Sequence, residues 1–240
     1  MAIGVPLVRA GPRPIRVRDT DGIPRLLADA GLSPAPVLVL VGGAGGLDTG
    51  AEAQLFGLFC SHLVPAVVRS GATVVDGGTD SGVMRAMGSA RSHTGARFPL
   101  VGVAAAGTVP APGDVAEATA GTRVDPDHSH IVLVPGDAWG DESPWLSAVA
   151  AALSVGHPSV TLLVNGGDIA YDDVDRSLGA GRPVVVLAGS GRAADAIAAA
   201  AREPDADERA RRIHASPLVR VVSLDDPEAV SGTVGSLLAS

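Results

Sequence analysis

The hydrophobic positions of this chain form short continuous runs, separated by segments in which Ala and Leu recur at helical spacing. Seven of these runs are rich in Val, Leu and Ile. Continuous apolar runs are typical of strands in a parallel sheet, because helices bury both faces of such a sheet. The predicted strands are residues 37–41, 73–76, 99–103, 130–134, 159–164, 183–187 and 219–223.

The segments between the strands predict helices at about residues 51–69, 81–92, 142–154, 170–180, 191–202 and 226–238. Strands that alternate with helices favour a doubly wound α/β fold, with a mainly parallel sheet and helices on both of its faces. We expect a single domain over residues 1–240. Within it, residues 104–129 predict an irregular excursion between strands, and residues 202–209 predict a charged surface connection.

Composition narrows the chemistry that such a fold can carry. All 18 basic residues are Arg, and the absence of Lys excludes Schiff-base and Walker-type lysine chemistry. The net charge of −8 leaves no evident basic face, so a nucleic-acid partner is not expected. Cys60 is the single cysteine, which excludes an intramolecular disulfide and a Cys-based zinc site.

The sequence shows no evident targeting or membrane segment. Residues 1–18 lack the continuous apolar stretch of an export signal. No run approaches the roughly 18 consecutive apolar residues that indicate a membrane-spanning helix. We therefore expect a soluble cytoplasmic protein without membrane insertion.

Glycine is unusually frequent, at 31 of 240 residues, and its pairs follow predicted strands and precede predicted helices. The carboxyl ends of parallel strands share one edge of the sheet, where open α/β sheets bind ligands. Glycine permits close backbone approach, and neighbouring helix N-termini offer N–H groups that suit phosphate. One such loop also occurs without any ligand, but four on one edge favour a nucleotide cleft. The candidate ligand-binding residues in these loops are Gly42, Gly43, Ala44, Gly45, Gly77, Gly78, Thr79, Ser81, Gly82, Gly166, Gly167, Gly189, Ser190, Gly191 and Arg192.

Several polar residues of these loops have two interpretations. Arg192 follows a Gly-Ser-Gly turn at a predicted helix start, from which its guanidinium can reach a phosphate or simply face solvent. Asp195 either orients Arg192 or interacts with the helix dipole. The hydroxyls of Thr79 and Ser81 either bind a phosphate or ribose or cap the next helix. Met84 is expected in the core.

The segment before the strand at 130–134 contains Asp125, Asp127, His128 and His130, which are side chains that can bind a metal. This segment precedes its strand, so we expect it at the edge opposite the glycine loops. We favour a hydrogen-bonded loop anchor and predict no metal site.

Five segments, in the same order along the chain, resemble motifs of the LSDAT family. GGTDSGVMR at 77–85 resembles GGT-x-x-GVM, and VGVA at 101–104 resembles IGIA. GTV at 107–109 is identical to the family's GTV, and DPDHSHIVLV at 125–134 resembles D-x-N-H-S-H-F-I-L-V. GSGRAADAIA at 189–198 resembles GSGR-x-ADVIA. The resemblance covers about residues 35–202.

The LSDAT family is part of the SLOG superfamily, which also contains the cytosolic N-terminal region of melastatin-type TRP channels. The resemblance implies a Rossmann-like fold that senses NAD-derived nucleotides such as ADP-ribose or cyclic ADP-ribose. Arg192 matches the arginine that contacts the ligand in the channel relatives, and Leu146 stands where they have a second arginine. Trp139 occupies the place of their base-stacking aromatic residue. From its own chemistry Trp139 is either a stacking platform or a cover for the sheet edge.

The LOG phosphoribohydrolases of the same superfamily supply an alternative. Their motif PGG-x-GT-x-x-E corresponds here to residues 165–173, NGGDIAYDD. The glycine pair is kept, Ile169 and Ala170 replace the GT, and Asp173 stands in place of the glutamate. A carboxylate that is displaced by about 1 Å costs about 100-fold in rate, which disfavours hydrolysis. Asp173 or Glu142 would be the catalytic carboxylate of an N-glycosidic hydrolase.

The predicted function is therefore a nucleotide-sensing module that needs no metal, cofactor or catalytic residue. Its ligand is an NAD-derived or related phosphorylated nucleoside. The alternatives are a LOG-like phosphoribohydrolase and a structural subunit with a vestigial cleft. A homo-oligomer and an effector protein on another chain are the expected protein partners.

Overall fold

Eight parallel strands form one sheet in the computed structural model, which describes residues 11–43, 45, 49–110 and 123–240. Within these residues the order across the sheet is β1-β5-β4-β3-β2-β6-β7-β8. The chain moves outward from β2 to β5 on one side and restarts at β6 on the other. The switch point therefore lies between β2 and β6. The strands are β1 Arg13–Arg16, β2 Val37–Gly42, β3 Thr73–Asp76, β4 Leu100–Ala105, β5 His130–Val134, β6 Ser159–Val164, β7 Val184–Ala188 and β8 Val219–Ser223.

Helices cover both faces of this sheet. Successive side chains of a strand point to opposite faces, so each buried strand contributes to two hydrophobic cores. In β2, Val37, Val39 and Val41 join one hydrophobic core, whereas Leu38 and Leu40 join the other. The first core is covered by α1 Ile23–Asp29, α5 Ser143–Leu153, α6 Asp168–Gly179, α7 Arg192–Ala199 and α8 Glu208–His214. The second core is covered by α2 Thr49–Leu58, α3 Val64–Ser70, α4 Gly82–Thr94 and α9 Pro227–Leu238.

A π-helical turn, Phe59–Leu63, joins α2 to α3. It makes Gly50–Ser70 one continuous helical stretch of 21 residues, with a mean hydropathy of 1.4. By length and composition this is the one stretch among the described residues that could cross a membrane. In this fold it contributes Leu55, Phe59 and Leu63 to the sheet core with no exposed surface. Core helices pass the same test of length and composition, so the stretch is weak evidence for a membrane span.

The predicted doubly wound α/β fold is confirmed, and all seven predicted strands are present within two residues at either end. The prediction missed β1, α1 and α8. Of β1 only Ile15 is buried, and of α8 only Ala210 and Ile213, so neither shows an apolar run. Residues 202–209 are not wholly a connection, because α8 begins at Glu208.

The excursion predicted at 104–129 is shorter than expected, because β4 continues to Ala105. Residues 111–122 lie outside the described residues. Beyond them the chain returns to the loop after β3, where Val124 forms an antiparallel bridge with Thr79.

Candidate functional site

The glycine loops after β2, β3 and β6 meet at the switch point and enclose a cleft of about 630 Å³. Open α/β sheets place their ligands at such a crevice, beyond the carboxyl ends of the strands. The cleft is lined by Leu40, Val41, Gly42, Gly43, Gly77, Thr79, Met84, Trp139, Glu142, Leu146, Gly167, Asp168, Ile169, Ala170, Asp173 and Arg192.

At Gly43 the loop after β2 passes too close to its neighbours for a side chain. A Cβ at Gly43 would lie 2.7 Å from Asn165 Oδ1 and 2.8 Å from the Gly45 carbonyl oxygen. Its carbonyl accepts a hydrogen bond from the Val83 N–H at the start of α4. Glycine at this position thus lets the β2 loop pack directly against the β6 loop.

Arg192 extends its guanidinium across the cleft from the first turn of α7. A Cβ at Gly167 would lie only 2.8 Å from Arg192 Nη2, so the guanidinium lies in the space left by the glycine. Nη1 donates a long hydrogen bond of 3.4 Å to the Gly45 carbonyl. Arg192 therefore bridges the loops after β2 and β6 while remaining exposed.

Asn165 was not predicted, yet it joins the loops after β6 and β7. It is buried in the left-handed region, with φ of 57°. Its Nδ2 donates to the Ser190 carbonyl, its backbone N–H donates to Ser190 Oγ, and its Oδ1 accepts from the Gly166 N–H. Asn tolerates positive φ better than most residues, and its place directly before a glycine pair was the available signal.

The turn at 189–191 supports the cleft from behind its wall. Ser190 Oγ donates to the Leu187 carbonyl, and Asp195 accepts from the Gly189 N–H at 2.6 Å. Asp195 thus stabilises the turn, because its hydrogen bond goes to the turn and not to Arg192. A Cβ at Gly191 would lie 2.8 Å from Asn165 Nδ2.

The loop after β3 contributes Gly77 and Thr79 to the cleft wall. The Thr79 and Ser81 hydroxyls are 3.0 Å apart and hydrogen-bonded to each other. Ser81 is the N-cap residue of α4, but its hydroxyl makes no capping bond. At Gly78 a Cβ would lie 2.8 Å from the Gly102 Cα, so this glycine serves the packing of the loop on β4.

The segment predicted at the opposite edge of the sheet instead contacts this loop. His128 places Nε2 2.8 Å from Asp76 Oδ1 and Nδ1 2.6 Å from Asp125 Oδ2, with all three residues buried. The prediction of location was wrong because the register of the sheet sets Asp76, the last residue of β3, level with the start of β5. Asp76 pairs with Gly102, whose neighbour on β5 is Ile131.

The loop between β5 and α5 presents Trp139 at the mouth of the cleft, with 48% of its surface exposed. Two acidic residues hold this loop by hydrogen bonds to its backbone. Asp141 Oδ2 accepts from the N–H groups of Asp137 and Ala138, and Glu142 Oε2 accepts from the Gly140 N–H at 2.9 Å. The indole is therefore exposed on an ordered loop.

Besides the exposed Asp168, two partly buried carboxyl groups lie in the cleft wall, Glu142 at the start of α5 and Asp173 in α6. Burial, together with the charge of Glu142, raises the pKa of Asp173 to about 6. Burial also raises the pKa of Glu142, against the hydrogen bonds that its carboxylate accepts. Asp173 Oδ1 is buried and has no hydrogen-bond partner among the residues that the structure describes.

The charges of the described cleft wall are divided between two regions. Arg192 is the cation of the wall and lies at Gly167, beside the loop after β2. The carboxylates of Asp173 and Glu142 lie on α6 and α5, and Asp168 is exposed and paired with Arg209 at 3.0 Å. A negative group is therefore attracted to the Arg192 side, and a hydroxyl or base is better suited to the carboxylate side.

Of the predicted ligand-binding residues, the cleft wall contains Gly42, Gly43, Gly77, Thr79, Trp139, Gly167 and Arg192. The two alternative catalytic residues, Glu142 and Asp173, lie there as well. Ala44 lies outside the described residues. The remaining predicted residues support the loops without lining the cleft: Gly45, Gly78, Ser81, Gly82, Gly166, Gly189, Ser190 and Gly191.

The prediction missed several apolar residues of the cleft wall, because no sequence motif marks them and only the packing of the folded chain sets them in the wall. Ile169 is exposed and packs near Gly140 of the Trp139 loop. Met84, expected in the core, is buried and also lines the cleft. Among the described residues no group of three or more His, Cys, Asp or Glu side chains could hold a metal ion.

Comparison with known proteins finds similarity to a prokaryotic SLOG family and to channels of TRP subfamily M. The family model LSDAT_prok, described as SLOG in TRPM, prokaryote, matches residues 35–231. The transient receptor potential cation channel subfamily M member 2 of Mus musculus is 27% identical over 209 residues, 72% of this chain and 14% of the channel. The corresponding member-like 2 protein of Nematostella vectensis is 27% identical over 201 residues, 68% and 13% of the two chains. The chain thus spans about a seventh of these relatives.

Solved structures share the fold at low sequence identity. The molybdenum cofactor carrier protein of Chlamydomonas reinhardtii has a TM-score of 0.54 and 18% identity, over 86% of this chain and 99% of that chain. The structural-genomics target TM1055 has a TM-score of 0.52 and 20% identity, over 82% and 98%. These matches support the Rossmann-like fold and carry no argument about the ligand.

Proposed function

Because the chain belongs to the prokaryotic family of SLOG domains related to TRPM channels, we propose that its cleft binds an NAD-derived nucleotide of the ADP-ribose type. The observation that carries the proposal is Arg192, whose guanidinium bridges two glycine loops at the switch point. A phosphate there would meet a planar cation and nearby backbone. The exposed indole of Trp139 offers a face for the base at the same cleft.

The proposed role is sensing rather than turnover. Binding alone requires the glycine loops, Arg192 and Trp139, and no cofactor. The output would come from an effector on another chain or from a homo-oligomer, and the location would be cytoplasmic. These parts of the proposal rest on the family and on the predictions from sequence.

The first experiment is calorimetric titration of ADP-ribose, cyclic ADP-ribose, NAD and AMP into the full chain, with chromatography of each mixture. We expect ADP-ribose to bind without release of products. Arg192→Ala should weaken binding about 10- to 100-fold, the scale of one lost charged hydrogen bond. Arg25→Ala, at a side chain that is 88% exposed outside the cleft wall, is the matched control. Unchanged affinity in Arg192→Ala would contradict the proposal.

A second candidate function, hydrolysis of an N-glycosidic bond, is favoured by the carboxyl pair. Asp173 lies in the cleft with a pKa of about 6, which is near the range of a general acid that works around neutral pH. Glu142 is the neighbouring carboxylate. Release of free base from AMP or NAD, abolished by Asp173→Asn, would favour this function over sensing. Binding without any release would count against it.

A further inference from the structure

A buried ionic cluster lies behind the loop that forms one side of the cleft. It consists of His128 between Asp76 and Asp125, with no exposed imidazole surface. Both ring nitrogens face carboxylate oxygens, at 2.8 Å and 2.6 Å. A neutral imidazole carries one N–H and one acceptor nitrogen, so two ionised carboxylates favour the doubly protonated ring.

The cluster is connected to the loop at residues 77–81 through short hydrogen bonds. Asp76 immediately precedes this loop, and its Oδ1 also accepts from the Gly78 N–H at 2.7 Å. The Asp125 N–H donates to the Gly78 carbonyl at 3.0 Å, and the Asp80 N–H donates to the Arg123 carbonyl at 2.7 Å. The two neighbours of Gly78, Gly77 and Thr79, line the cleft.

The helix after the loop, α4, leaves space for the buried cluster at one of its glycines. A Cβ at Gly88 in α4 would lie 1.9 Å from Asp125 Oδ2. This glycine therefore leaves room for the carboxylate that accepts from His128. The packing against Gly88 holds the Asp125 carboxylate in one position. The carboxylate in turn holds the His128 imidazole against Asp76.

We infer that His128 is a positioning residue for the cleft: as an imidazolium between Asp76 and Asp125, it fixes the loop at residues 77–81 in the shape that lines the ligand site. The inference rests on the proposed function for its effect on ligand affinity. Its effect on the loop itself is independent of any ligand.

The charges around the cluster set the pH at which this positioning is lost. Burial lowers the pKa of His128, but the charge of Asp76 and the hydrogen bonds that both carboxylates accept from the ring raise it to about 9. Burial raises the pKa of Asp125. Asp127 and Arg91 also act on Asp125, and Arg91 donates to the Asp127 carbonyl from α4. Because the folded pKa exceeds the usual 6.5, the stabilisation is complete below pH 6.5 and disappears as the pH rises through about 9.

The direct test is an NMR titration of the full chain from pH 6 to pH 10. We expect the His128 ring to stay doubly protonated at pH 7 and to lose a proton near pH 9. The amide signals of Gly78 and Thr79 should shift with the same midpoint, whereas that of Gly71, at the far end of β3, should not. A neutral His128 at pH 7 would overturn the inference. Amide signals of Gly78 and Thr79 that do not shift as His128 titrates would overturn it as well.

Ligand affinity supplies the second readout, with ADP-ribose as the probe. We expect wild-type affinity to fall about tenfold between pH 8 and pH 10, the scale of a small displacement in a binding loop. The double variant His128→Gln/Asp125→Asn keeps the net charge of the cluster and should fold, with affinity that no longer changes over this range. His157→Gln, at an exposed histidine, should behave as wild type.

The outcomes separate the two proposals. Failure of ADP-ribose to bind at any pH, with loop signals that still follow His128, defeats the proposed function alone. Wild-type affinity that is equal at pH 8 and pH 10, while His128 titrates, overturns the positioning role.

Discussion

A single guanidinium and the glycine beneath it set the chemistry of the cleft. Arg192 is exposed, but its Nη2 lies where a side chain at residue 167 would have to be. Gly167 has an ordinary negative φ of −113°, so its lack of a side chain matters for space and not for backbone strain. The position of the guanidinium is therefore sensitive to one methyl group.

Gly167→Ala should move the Arg192 guanidinium and lower ADP-ribose affinity about tenfold, because a shift of about 1 Å weakens a positioned contact. The free energy of unfolding should change by less than about 1 kcal/mol, since the displaced group is the end of a flexible side chain. Calorimetry and urea unfolding measure the two effects. Gly179→Ala, with open space around its Cβ in the same helix, is the control. Equal affinity in both variants would contradict this account of Arg192.

Asp173 predicts a pH dependence of stability. Its folded pKa of about 6 exceeds the usual 3.8, so the folded state binds more protons between these values and stability falls as the pH rises through them. Asp173→Asn should therefore raise the free energy of unfolding by about 2 kcal/mol at pH 7.5 and have little effect at pH 3.5. The exposed neighbour variant Asp172→Asn should show a much smaller difference in urea unfolding, because the charge of Asp172 is the weakest of those that act on Asp173. A gain of equal size at both pH values would show that the charge of Asp173 is not the cause.

The sequence predicted the residues of the cleft wall that belong to motifs, such as Gly43, Gly167 and Arg192. It could not predict Ile169, because its approach to Gly140 depends on how α6 packs beside the Trp139 loop. The position of His128 was predicted at the wrong edge for a related reason. The register of β3, β4 and β5 decides which residues lie level, and it follows from packing across the sheet.

Among the elements, the loops after β6 and β7 behave as one unit. Asn165 and Ser190 exchange two hydrogen bonds, and the N–H groups of Ala193 and Ala194 donate to the carbonyls of Gly166 and Asn165. The start of α7, and with it Arg192, is thus fixed to the end of β6. Such cross-links between loops were not visible in sequence, where each loop was an isolated glycine turn.

Asn165→Ala should lower the free energy of unfolding by about 3 kcal/mol, because it removes buried hydrogen bonds and leaves Ala at positive φ. Asn165→Gly removes the same side-chain bonds but tolerates φ of 57°, so it should cost about 1 kcal/mol less. Equilibrium unfolding in urea measures both variants. Losses below about 0.5 kcal/mol would show that the cross-link contributes little.

At the scale of the whole molecule, the strand order decides where the site can form. β2 and β6 are neighbours in the sheet, although β3, β4 and β5 separate them in sequence. Their loops therefore diverge to opposite faces and leave a crevice between them. The alternation of strands and helices predicted that the glycine loops share one edge of the sheet, but it predicted neither the strand order nor the edge strand β1, which buries little and shows no apolar run.

A ligand that binds only the folded chain must raise its melting temperature. At 100 times its dissociation constant the gain is about 2.7 kcal/mol, which corresponds to roughly 5–10 °C for a domain of this size. Differential scanning calorimetry with ADP-ribose should show this shift in the wild type and a smaller one in Arg192→Ala at the same ligand concentration. Equal shifts in the two proteins would place the ligand elsewhere.

We propose that a nucleotide lies in this cleft between Trp139 and Arg192. Trp145→Phe leaves Trp139 as the single tryptophan, so its fluorescence reports on the cleft mouth. Titration of ADP-ribose into this variant should quench the fluorescence saturably, with one ligand per chain, because the base stacks on the indole. When Arg192→Ala is added to the Trp145→Phe variant, the midpoint of the quenching curve should shift to a much higher ADP-ribose concentration. Unchanged Trp139 fluorescence while calorimetry records binding would show that the base does not stack on Trp139.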